Sequence, residues 1–106
     1  MRSDVQTVVD AAMQEATRQR GMRNHYRNQA ELAESGASPS QEVTDSLRRD
    51  RDDHERHFTG TLSMLAVILD AAGYDVCEPF PDGSGSSPSN IKAEAVLDKW
   101  LAGVAA

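Results

Sequence analysis

A chain of 106 residues carrying a formal charge of −6 is one domain with room for a modest core, and its two Phe, two Tyr and one Trp limit what that core can bury. The acidic balance argues against nucleic-acid binding, because a phosphate backbone rewards a basic surface. The lone Cys77 excludes an intramolecular disulfide, no charged-then-apolar leader opens the chain, and the most apolar stretch, Leu62 to Leu69, is too short to span a bilayer. The expected setting is reducing and cytoplasmic, with no membrane partner.

In chain order, Ser3-Asp4-Val5-Gln6 sets an N-cap serine three residues ahead of a glutamine and opens a helix over about residues 4–34. Val5, Val9, Ala12, Ala16, Gln19, Arg23, Tyr26, Ala30 and Ala33 step along one of its faces at the helical period. Ser35-Gly36-Ala37 stops it. Ser38-Pro39-Ser40-Gln41 repeats the capping arrangement with proline at the first helical position, so a second helix is expected over about 39–72. Its stripe runs through Val43, Leu47, Asp50, His54, Phe58, Thr61, Leu65, Ile68 and Ala72.

A turn centred on residues 36 and 37 folds the two helices into an antiparallel hairpin. That register sets Tyr26 against Leu47, Arg23 against Asp50, Gln19 against His54 and Val9 against Leu65, a coiled-coil-like seam with a polar layer halfway along. Charge divides the hairpin too. Between Arg18 and Arg56 eight arginines balance eight acids, so the whole net charge lies elsewhere, while most large apolar residues gather at the ends remote from the turn. The hairpin has an apolar base and a polar arm.

Residues 74–88, with Pro79, Pro81 and the run Asp82-Gly83-Ser84-Gly85-Ser86-Ser87, cannot continue a helix and read as a flexible linker. Ser87-Pro88 or Ser89 then caps a short helix over about 89–104, with Ile91, Ala95, Leu97 or Asp98, Leu101 and Val104 on its apolar stripe and Val96 and Trp100 beside it. The expected fold is therefore all-α: a single helical domain of hairpin (1–73), linker (74–88) and C-terminal helix (89–106). Because Leu62 to Leu69 is apolar nearly all round, it needs cover from two sides. The third helix supplies one; a second copy of the chain, in an intermolecular helical bundle and most simply a homodimer, supplies the other.

Candidate chemistry sits in the arm. His54 and His57 are three apart on one helix with Asp50 and Asp53 one turn earlier, a set of ligand types that suits zinc or iron, with His25 on the opposing helix. The competing reading has His54 hydrogen-bonded to Gln19 in the seam and His57 solvated. Arg20, Arg23, Tyr26 and Arg27 crowd guanidinium forks around an aromatic ring, an arrangement suited to a phosphorylated small molecule or nucleotide; salt-bridged solvation of the helix face is the alternative. Two carboxylate pairs, Glu31 with Glu34 and Asp50 with Asp53, do not converge in the expected register. Cys77 has no basic neighbour in sequence and reads as an ordinary thiol.

Two function classes follow. The preferred one is a non-enzymatic helical interaction module, inhibitor- or adaptor-like, that uses no cofactor and acts on an unidentified protein partner. The other is a ligand-binding bundle holding a metal or a phosphorylated molecule through the arm.

Overall fold

The computed structural model describes residues 4–37 and 40–105. The serine cap proposed at Ser3 and the Ser38-Pro39 helix start fall outside the described residues. Helix α1 spans Asp4–Leu32, a π-type turn covers Ala33–Ala37, and helix α2 spans Gln41–Ala71. Strands β1 (Cys77–Pro79) and β2 (Ser86–Pro88) follow, and helix α3 spans Asn90–Ala105. An all-α architecture of a long hairpin plus a short C-terminal helix is what the patterning implied.

The ends of the helices have local causes. Gly36 sits at φ 96°, a conformation glycine adopts without a Cβ penalty, and the Ser35 hydroxyl donates to Leu32 O at 2.7 Å. Helix α2 begins at Gln41, and its cap is Ser40: extended at φ −154°, its side chain accepts from Val43 N at 3.2 Å. At the far end the Gly73 amide donates to Asp70 O and the Tyr74 amide to Leu69 O, a Schellman closure that needs the left-handed Gly73 at φ 92°.

The hairpin register differs from the expected one by about two turns. Tyr26 lies on His54 instead of Leu47, with ring centroids 4.2 Å apart, and Arg23 lies over the Phe58 ring at 4.6 Å instead of facing Asp50. Gln19 does not meet His54; its amide donates to Glu15 at 2.8 Å. The cause is the connection. The chain keeps winding through Ala37 and the second helix starts only at Gln41, so the midpoint of the hairpin falls later than residues 36 and 37.

The core occupies the base. Val9, Met13 and Ala16 of α1 pack with Phe58, Leu62, Leu65, Ala66 and Leu69 of α2, and Ala93 and Leu97 of α3 close it together with Val76. Met13, not Val5, is buried because α3 covers that flank. Among the described residues of the arm Ala30, Ala33 and Thr44 are buried, and Gln19 is buried where the arm meets the base.

The segment read as a flexible linker forms an antiparallel ladder, Cys77 with Pro88, Glu78 with Ser87 and Pro79 with Ser86. Its tip is held by Phe80 N to Gly85 O at 2.8 Å and by Asp82, whose carboxylate accepts from both the amide and the hydroxyl of Ser84. Composition alone hid this, because the same Asp, Gly and Ser residues that loosen a linker also make a tight turn. The Ser89 amide then donates to Val76 O at 2.8 Å, and the Ser89 hydroxyl caps α3 by accepting from Lys92 N. Among the described residues no helix is long and apolar enough to cross a membrane.

Candidate functional site

Each arginine singled out in the arm has a partner within the chain. Arg20 reaches from α1 to α3, donating to Asp98 Oδ1 at 2.6 Å and Glu94 Oε2 at 3.2 Å. Burial works against its charge, yet the two carboxylates outweigh that cost and raise the guanidinium pKa. Arg27 closes on Glu55 Oε1 of α2 through two donors, at 2.5 and 2.9 Å. Arg23 covers the Phe58 ring and donates to its neighbour Asn24; burial, and then the adjacent Arg27, lower its pKa. Tyr26 is stacked at 5° on His54, so its face is already occupied. What had the look of a phosphate cradle is a set of ties between helices.

The proposed metal ligands do not gather either. His54 is half-buried in its stack, with Nδ1 buried and without a hydrogen-bond partner, and His57 is exposed beside Glu15. Asp53 pairs with Arg56, and Asp50 stays half-buried on α2. The observed register brings Asp50 nearer the level of Glu31 than expected, but Glu34 is held by Arg48 and Arg51 at 2.9 and 3.0 Å. Among the described residues no three His, Cys, Asp or Glu side chains come together as a metal would require.

Cys77 donates to Asp70 Oδ1 at 3.3 Å, and that carboxylate, followed by burial, raises the thiol pKa. A thiol held protonated is a poor nucleophile.

A different surface is left open. Helix α3 lies along one flank of the hairpin, where Trp100 Nε1 donates to Asp10 at 3.2 Å, Arg20 holds Glu94 and Asp98, and Ser63 donates to Asn90. On the opposite flank α1 and α2 line a groove of about 490 Å³ bounded by Ala12, Glu15, Arg56, His57, Gly60, Thr61, Met64, Leu65 and Ile68. At Ile68 it meets a second hollow of about 340 Å³, lined by Asp4, Val5, Val8, Val9, Ala71 and Ala72. Val5 and Val8 are each 54% exposed and Met64 68%. Large apolar side chains that solvent touches on one continuous face are the usual mark of an interaction surface.

The groove floor was legible as the outer side of the Leu62 to Leu69 run. Its α1 wall was not, because it depends on the true register. At its arm end Glu15 is held by Arg18 and Gln19 and is further stabilised as an anion by His57; its pKa is lowered to about 2. No family model, curated protein or solved structure matches the chain.

Proposed function

We propose that this chain is a non-enzymatic helical interaction module whose working surface is the open α1–α2 face. The supporting observation is the continuous apolar groove from Val5 to Gly60, on the flank that α3 leaves bare. Burying one such Val or Met fully stabilises by roughly 1.5–3 kcal/mol, so covering several of them is a strong drive to association. The arm serves as a lever in which Arg20, Arg27, Arg48 and Arg51 are already matched by Glu94, Asp98, Glu55 and Glu34. The same matching leaves the ligand-binding reading without free cations at Arg20 and Arg27. Cytoplasmic residence suits the lone free thiol of Cys77.

A photo-reactive residue placed at Met64 in cells should give a covalent adduct of one defined mass. The same residue at the exposed arm position Asn28 should not. Equal labelling from both positions, or none from position 64, would reject the open face as the working surface.

A further inference from the structure

We propose that Asp82–Gly83 is a latent site of isoaspartate formation, held closed in the folded chain by the Ser84 hydroxyl and the Phe80 carbonyl. Its product is the kind of residue that an isoaspartyl carboxyl methyltransferase takes as substrate. The site lies at the tip of the β1–β2 ladder, away from the open face of the hairpin, and does not rest on the reading of that face.

The chemistry needs no reagent but water. The Gly83 nitrogen attacks Cγ of the Asp82 side chain: an N–Cγ bond forms, the Cγ–OH bond breaks, and the hydroxyl leaves with the amide proton as water. A second water then opens the five-membered imide at one of its two carbonyls. Opening at Cγ restores aspartate. Opening at the backbone carbonyl leaves the chain running through the side chain, with the former backbone carbonyl as a free carboxylate and the mass unchanged. A glycine after the acid favours the attack, because no Cβ stands beside the attacking nitrogen. Asp82–Gly83 is the only place in the 106 residues where Asp or Asn precedes Gly, and both residues are exposed.

The folded tip opposes each requirement of that attack. The carboxyl must be protonated for its hydroxyl to leave, yet Asp82 accepts from the Ser84 hydroxyl at 2.7 Å and from the Ser84 amide at 3.0 Å. Those two contacts, the hydroxyl first, hold the carboxyl below its ordinary pKa and so keep it ionised. The nitrogen must lose its proton, yet the Gly83 N–H donates to Phe80 O at 3.0 Å. Gly83 itself is fixed at φ 74° by the turn, and Phe80 N to Gly85 O closes the loop around it. Cyclisation therefore has to break the Ser84 contacts and the Phe80 contact together. An unfolded chain meets none of these restraints.

The test is to incubate the full chain in warm neutral buffer and follow isoaspartate by methyl transfer from S-adenosylmethionine, located at residue 82 by fragmentation of the surrounding peptide. The folded wild type should convert more slowly than the same chain unfolded in urea. Ser84→Ala should keep the helical signal and convert roughly three- to tenfold faster than the folded wild type, because one of the two donors to the carboxylate is gone. Ser84→Thr, which keeps a hydroxyl, should return the rate toward that of the wild type. An unfolded chain that forms no isoaspartate at residue 82 overturns the site. A folded wild type that converts as fast as the unfolded chain overturns the protection, and a Ser84→Ala chain no faster than wild type, or a Ser84→Thr chain as fast as Ser84→Ala, overturns the part assigned to the hydroxyl.

Discussion

The base and the arm of the hairpin are built from the same two helices and are held together by different physics. In the base, Met13, Phe58, Leu65, Leu69 and Leu97 are removed from water by three helices and by Val76. In the arm, the two sides of the hairpin touch through a ring stack, three arginine–carboxylate ties and a few small buried side chains. Apolar burial acts in proportion to area and survives salt, whereas exposed ion pairs contribute little and are screened. Stability should therefore be concentrated in the base, and the arm should mainly fix direction and register.

The comparison breaks most directly at Phe58 and Leu69. Phe58→Ala or Leu69→Ala should lose about 3–5 kcal/mol, read as a large drop in the urea midpoint, whereas Tyr26→Ala in the arm should cost well under half as much. Equal losses would mean that the arm carries core-like packing.

Next in size is the attachment of α3. Arg20→Ala removes two charge-assisted contacts, one to a largely exposed Asp98, and should cost about 1 kcal/mol. Amide exchange should quicken across 90–105 and stay slow in α1 and α2. Uniform quickening would show that α3 does not open as a separate unit.

A smaller effect sharpens the register. A double-mutant cycle on Arg27 and Glu55 should give a coupling of about 0.3–1 kcal/mol that fades in salt, while Arg23 and Asp50 should be additive. Coupling at the second pair and none at the first would restore a hairpin centred on residues 36 and 37.

Smallest is the acid limb. Glu15 has a folded pKa of about 2 against an ordinary 4.5, so its contribution is complete above pH 4.5 and is lost as pH falls from there toward 2. Glu15→Gln should flatten the melting temperature over that window. An unchanged slope would assign the acid sensitivity to other carboxylates.

The three helices were readable because the 3.6-residue pattern and the caps are local. Ser35-Gly36 stops α1 as expected, and Ser89 caps α3. The register was not readable, since it depends on how far the chain winds past Leu32 before α2 begins, and a shift of two turns preserves the helical phase of both stripes. Nor could sequence show that Arg20 is bound to Glu94 and Asp98, more than seventy residues away. The donors that suggested a phosphate site lie together along α1 as read, but Arg20 and Arg27 find their acceptors on α3 and α2. The open groove lies between these cases, with one wall visible in the apolar run and the other set by tertiary pairing.

The short ladder of β1 and β2 fixes more than the path of the chain. Because the Ser89 amide is tied to Val76 and Ser89 caps the first turn of α3, the ladder sets the rotational phase of that helix. Each residue inserted between Pro88 and Asn90 would turn α3 by about 100° about its own axis and swing Ala93 and Leu97 out of the core. Residues added at the tip, between Asp82 and Ser84, lie beyond the last rung and leave that phase untouched. The molecule thus has a point of high sensitivity to length a few residues from one of high tolerance, and the tip is where a label or fused domain can be carried without disturbing either flank of the hairpin.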